Sequence, residues 1–256
     1  MRSFVAFIKK EVLDQLRTGK ITVLSLLFVL FGIMNPAIAK LTPWLLRTFA
    51  DSLAESGMII SEVTVSALDS WVQFFKNIPL ALIIFVLLEG TVFTKEYASG
   101  TLLLCLTKGF ERYKAVVSKT TVLILLWTAG YWLCFGITYA YNAFFWDNSV
   151  AVSLGFSAVC FWLFGVFTAS LIALFSVLTS TSTGVFLGVG GTVFASYVFS
   201  LLPKLSKYMP TSLTGANALI YGVSEAKSYI AALLLTATLT LVCFALSFPI
   251  FNKKQL

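Results

Sequence analysis

Charged residues are missing from five stretches of the chain, and those gaps set the first expectation about its fold. Residues 21–39 lie between Lys20 and Lys40. Residues 77–88 lie between Lys76 and Glu89, and the apolar run continues to Phe93. Residues 120–146 lie between Lys119 and Asp147, and residues 228–252 between Lys227 and Lys253. Residues 148–203 carry no charge at all. A helix needs about 20 residues to cross a hydrocarbon core of roughly 30 Å. A single helix over 148–203 would be about 84 Å long, so that stretch must turn once. The run Thr179-Ser180-Thr181-Ser182-Thr183-Gly184 offers the turn. The pattern therefore predicts an all-α integral membrane fold in one transmembrane domain over 1–256. Its six spans fall at roughly 21–39, 77–94, 120–146, 150–178, 184–202 and 228–251. A β-barrel is excluded, because barrel strands alternate strictly over about 10 residues.

The segments between spans carry their own patterns. At 100° per residue Phe4, Val5, Ile8, Val12 and Leu16 share one arc, with Lys10, Asp14 and Arg17 opposite. That is the signature of a helix lying on a membrane surface over residues 1–20; a basic flank that merely orients the first span is the alternative. Residues 40–76 read as helix-forming and partly amphipathic, with Trp44, Trp71, Phe74 and Phe75 as interface anchors. Residues 203–227 contain Pro203 and Pro210, so helices there must be short.

Composition strengthens the membrane reading. Hydrophobic residues make up 59% of the 256 and charged residues 11%, against about 25% charged in soluble domains. A mean hydropathy of +0.93 leaves too little polar surface to coat a water-soluble particle. The net charge of +7 reads as topology rather than as a nucleic-acid surface, because the Lys and Arg sit at the edges of apolar runs. Six spans put both termini on one side, and that side carries twelve Lys and Arg against six on the other. By the positive-inside rule the twelve, and both termini, are cytoplasmic. No small-residue cleavage site follows the first apolar run, so it does not read as a secretory signal. Cys105, Cys134, Cys160 and Cys243 suggest neither a disulfide framework nor a metal site.

Several chemistries are excluded. The chain has no His, which removes Ser-His nucleophile pairs and HExxH zinc sites. No Asp falls in mid-span, as a two-aspartate intramembrane protease would require. No GxxxxGK[ST] loop occurs, so the chain cannot bind ATP in that way alone. Glu89 is the single candidate for an ionisable group within a span. It lies about 9 Å from the flank marked by Lys95 and reads either as a locally paired carboxylate or as a gate.

The richest polar segment connects spans two and three. It runs Thr94-Lys95-Glu96-Tyr97-Ala98-Ser99-Gly100-Thr101-Leu102-Leu103-Leu104, then Lys108-Gly109-Phe110-Glu111-Arg112-Tyr113-Lys114, and ends at Lys119. Gly100-Thr101 permits a tight turn followed by a helix start. The segment resembles that of type-2 ATP-binding-cassette (ABC) permeases, where an acidic residue precedes Ser-Gly-Thr-Leu, an Arg-aromatic pair follows, and a Lys opens span three. Glu96, Ser99, Gly100, Thr101, Leu102, Thr107, Arg112, Tyr113 and Lys119 match; Lys108-Gly109 departs from the commoner Lys/Ser-Pro. The resemblance extends to the basic N-terminal helix and the six-span layout. It implies that Lys95, Glu96, Tyr97, Gly100, Thr101, Leu102, Arg112, Tyr113 and Lys119 form a coupling helix that docks on ATPase subunits. It further implies two such cytoplasmic subunits, which carry ATP and Mg while this chain binds no cofactor, and a second permease copy in a bacterial plasma membrane. The alternative is an ordinary loop whose basic residues only set topology. A narrower likeness lies in Phe31-Gly32-Ile33-Met34-Asn35-Pro36, in Ala39-Lys40-Leu41-Thr42-Pro43, and in Ser70-Trp71 with Phe74-Phe75-Lys76-Asn77. These are similar to the permeases of phenol-soluble-modulin exporters of Gram-positive bacteria, which implies an amphipathic peptide or lipid-like substrate.

Two further features bear on that expectation. Gly184 and Gly188 open span five with the spacing that lets another helix approach closely; the neighbour is either in the same subunit or across a dimer seam. Of the 24 Phe, most face lipid or pack internally. Phe85, Phe186, Phe194, Phe199 and Tyr197 are candidates to line a substrate path. An autonomous ion-coupled carrier or channel, and a non-transporting immunity or sensor subunit, remain the rival readings.

Overall fold

The computed structural model describes residues 2–48 and 64–254. Residues 49–63, part of the long segment expected to form helix after span one, lie outside the described residues. Among those described there is no strand, and six helices are long and apolar enough to cross a membrane. The protein is an all-α, multi-pass integral membrane protein.

Helix α1 (Arg2–Arg17) is too polar to be a span and is followed by Gly19, whose φ of 73° suits the turn into α2. Span one, α2, runs Lys20–Thr48 and contains Pro36 and Pro43. Span two, α3, runs Ala67–Glu89. The short helices α4 (Thr94–Ser99) and α5 (Thr101–Thr107) follow it. Span three, α6, is Arg112–Phe145, and span four, α7, is Leu154–Leu178. Span five, α8, is Ser182–Ser200. A short helix α9 (Pro203–Ser206) and a 3-10 segment (Pro210–Tyr221) lead to span six, α10, at Lys227–Lys253. The turn expected at 179–184 is present, where Thr181 caps α8 by accepting from the Gly184 N–H at 3.2 Å.

Two boundaries differ from expectation, for physical reasons. Span two starts ten residues before the charge gap. Ser66 opens it with a capping box, in which the Asp69 carboxylate accepts from the Ser66 N–H at 2.8 Å. Trp71, Phe74 and Phe75 are therefore not interface anchors. They repeat at helical spacing along the inner face of α3 and are buried. The Trp71 ring lies tilted against Phe135 with centroids 5.0 Å apart, and Phe74 lies 5.8 Å from Tyr131. Trp44 alone of the four stays exposed. Span three begins at Arg112 rather than at 120, because Lys119 is not at the water boundary. It is buried and paired, so the helix continues through it.

Helix α7 is the centre of the bundle and packs against α3, α6, α8, α10 and the 3-10 segment. Its approach to α6 depends on Gly165: a Cβ there would overlap the Trp127 ring. Helix α8 is peripheral, with only Val185, Val189 and Ser196 buried. Residues 2–20, 94–111 and 254 gather at one end of the bundle, called here the near end.

Candidate functional site

At the near end a set of charged side chains is enclosed between α1, α4 and α6. The burial follows from how α1 sits. Phe7, Glu11 and Gln15 form one buried stripe, while Val5 and Leu16 are exposed on the adjoining arc. The helix thus turns one face to the protein and its other faces outward. Glu11 reaches the bundle and accepts from Lys119 Nζ at 2.7 Å and from Lys10 Nζ at 2.9 Å. Lys119 also pairs with Glu96 at 3.0 Å, and Lys10 donates to the other Glu96 oxygen. Lys119 is 1% exposed, with its ammonium 5.4 Å from the Phe93 ring centroid. One turn away, Gln15 Nε2 donates to Glu89 at 2.5 Å, and Lys20 Nζ donates to Thr91 at 3.3 Å.

The ionisable groups match in number, with Lys10, Lys20 and Lys119 against Glu11, Glu89 and Glu96. That balance is what makes burial tolerable. Pairs of buried charges roughly offset their desolvation, whereas removing one partner costs about 3–5 kcal/mol. Burial alone would push the Lys10 ammonium toward neutrality, but Glu96 and Glu11 reverse that and raise its pKa above the usual lysine value. The cluster fixes α1, the exit of span two and the entry of span three in one arrangement. Glu89 is fully buried at the edge of this cluster, accepts from Gln15 through one oxygen, and does not line the apolar cavity described below.

The segment after span two forms a ledge on this base. Gly100 adopts φ 68°, the left-handed conformation that lets α4 turn sharply into α5. Of the nine residues expected to face a partner, Glu96 and Lys119 are inside the charge cluster, and Leu102 is buried. Tyr97 is turned inward, donating to the Ser176 carbonyl at 3.1 Å. Arg112 donates to the Phe251 and Lys254 carbonyls at 3.1 and 2.6 Å, capping the end of α10. Lys254 in turn donates to the Thr179 carbonyl at 2.6 Å at the end of α7 and lies 4.3 Å from the Tyr97 ring. Lys95, Thr101 and Tyr113 face outward. Leu103, Leu104 and Lys108 of the same segment are exposed beside them. Sequence reasoning missed Glu11 and Gln15. Their signal was available: both break the apolar character of α1 one turn apart on a single face.

The candidate path residues separate as well. A cavity of about 380 Å³ opens between α3, α7 and α8, bounded by Ile83, Val86, Phe164, Phe186, Val189 and Val193. Phe186 reaches it after packing over Gly90. Phe85 does not line it; that side chain is fully buried, 5.6 Å from the Trp127 ring. Phe194, Tyr197 and Phe199 are exposed on α8. Gly184 and Gly188 approach their own chain, because a Cβ would overlap Thr179 at the first and Phe175 at the second. Gly190 and Gly191 face open space.

No family model matches the chain. It is similar to an uncharacterized transmembrane protein, YxlG, of Bacillus subtilis (strain 168), with 26% identity over 228 residues that cover 83% of each chain.

Proposed function

We propose that this protein is the transmembrane subunit of an ATP-driven exporter, coupled through its near end to separate cytoplasmic ATPase subunits. The observation that carries the reading is the ledge of α4 and α5. It is braced on α1, α6, α7 and α10 at once, yet presents Leu103, Leu104, Lys95 and Lys108 outward. A ledge of this kind transmits force instead of absorbing it. Leu104 is 59% exposed, which in a region outside the spans is apolar surface suited to a soluble partner. On this reading the near end faces the cytoplasm of a bacterial plasma membrane, and two ABC-type ATPases bind ATP and Mg there. A second permease copy completes the path, and the substrate is amphipathic. The resemblance in residues 94–119 supports the same assignment.

The test is purification of the full-length protein from cells that express it natively, with any ABC ATPase that accompanies it identified by mass spectrometry. The full-length protein should retain the ATPase through purification, and ATP hydrolysis should accompany the complex. Leu104→Glu should release the ATPase while the permease still extracts and runs as a folded species. A native chain that retains no ATPase, or a Leu104→Glu variant that retains it fully, would overturn the proposal.

A further inference from the structure

The apolar cavity is one half of a longer feature. Along α8 the residues Phe186, Val189, Gly190, Val193, Tyr197 and Ser200 fall on one stripe about 100° wide. The first four line the apolar cavity of about 380 Å³. The last two line a second cavity, of about 540 Å³, at the far end of the bundle. The two meet at Thr214, which borders both. Their chemistry differs sharply. The first is walled by aliphatic and aromatic side chains, while the second is walled by Ser200, Ser206, Ser224, Ser228 and Lys207 among others, with no carboxylate. Among the described residues, no Asp or Glu pairs with Lys207.

From Phe186 to Val193 the apolar portion rises about 10 Å, and Ser200 lies about 21 Å along. One leaflet of hydrocarbon is about 15 Å deep. Counted from Gly191 at the middle of α8, Ser200 lies about 14 Å along, so the polar cavity falls at about the depth where the far leaflet passes from chain to headgroup. Lining chemistry decides between occupants. An apolar track that ends in a hydroxyl-rich pocket with one lysine and no carboxylate matches a hydrocarbon chain that carries an anionic head.

We infer that this track binds an anionic phospholipid, one acyl chain lying between α3 and α8 and the phosphate head held by Lys207 and the surrounding hydroxyls. The inference names a substrate class for the exporter proposed above and rests on that reading for its transport meaning, but the binding itself needs no ATPase. This separates the two tests.

The full-length chain in phosphatidylcholine nanodiscs would be photolabelled with lysophosphatidylglycerol carrying a diazirine on its chain. Adducts mapped by mass spectrometry should fall on Phe186, Val189 and Val193, and unlabelled lysophosphatidylglycerol should compete. Gly190→Leu, placed where an added Cβ meets nothing within 4 Å, should fold normally and block labelling. Lys207→Glu should weaken competition by lysophosphatidylglycerol about tenfold, the worth of one charged hydrogen bond, and weaken lysophosphatidylcholine less, because its choline offsets the charge of the phosphate. Labelling elsewhere, native labelling in Gly190→Leu, or equal loss of both lipids in Lys207→Glu would overturn the inference. Displacement of the label by an amphipathic helical peptide would assign the groove to a peptide instead, and would overturn it too.

Discussion

Lys119 has two carboxylates within 3.0 Å and almost no contact with solvent. In the sequence it marks an apparent span boundary, because a lysine at the end of an apolar run usually ends at water. What the sequence hides is that Glu11, 108 residues away, supplies a partner that makes water unnecessary. No local pattern encodes a pairing at that separation. The energetic asymmetry of buried pairs gives a direct check. Lys119→Met should destabilise the protein by about 3–5 kcal/mol, since Glu11 and Glu96 are left facing each other with Lys10 alone between them. Adding Glu11→Gln to Lys119→Met should recover a substantial part of that loss. Thermal unfolding of the purified variants in detergent measures both. Equal stability of Lys119→Met and the native chain would show that the cluster does not hold α1 in place.

At the scale of elements, helices were legible where one face differs from another and obscure where it does not. The amphipathic arc of α1 and the Gly100-Thr101 turn could both be read, because each answers to a local rule. The inward aromatic stripe of α3 could not be told from an interface belt. Trp71 and Phe74 satisfy both descriptions until their neighbours Phe135 and Tyr131 are known. The turn at Gly100 carries a prediction of its own. A non-glycine residue held at φ 68° costs about 1–2 kcal/mol, and nothing lies within 4 Å of an added Cβ. Gly100→Ala should therefore leave the spans intact and misalign α5 relative to the charge cluster. The expected result is normal thermal stability to within about 2 kcal/mol, with ATP hydrolysis by the proposed complex clearly reduced. Unchanged hydrolysis would mean that the angle between α4 and α5 does not matter to coupling.

For the whole molecule, six spans follow from five charge-free stretches and the turn at 179–184, because hydrocarbon tolerates neither open backbone nor unpaired charge. The arrangement of those spans does not follow. Lipid and protein interior are equally apolar, so the sequence of α7 gives no sign that it is central, nor that of α8 that it is peripheral. Only packing distinguishes them: α7 contributes buried side chains along its length, and α8 contributes three. That contrast says which span should move. The ledge is tied to the ends of α7 and α10 through Tyr97, Arg112 and Lys254, and Thr94 meets Ser182 at the start of α8 at 3.1 Å. A push on the ledge thus reaches both a firmly packed helix and a loosely packed one, and the loose one yields. Leu87 and Leu187 face outward on α3 and α8, so spin labels can be placed there without disturbing the core. In a background with Cys105 replaced by Ser, the label separation between these two positions should change when ATP is added to the assembled complex. A pair on α6 and α7, at Leu125 and Val159, both also exposed, should not change. Identical distance distributions for the first pair with and without ATP would contradict a moving α8, whatever the ATPase association shows.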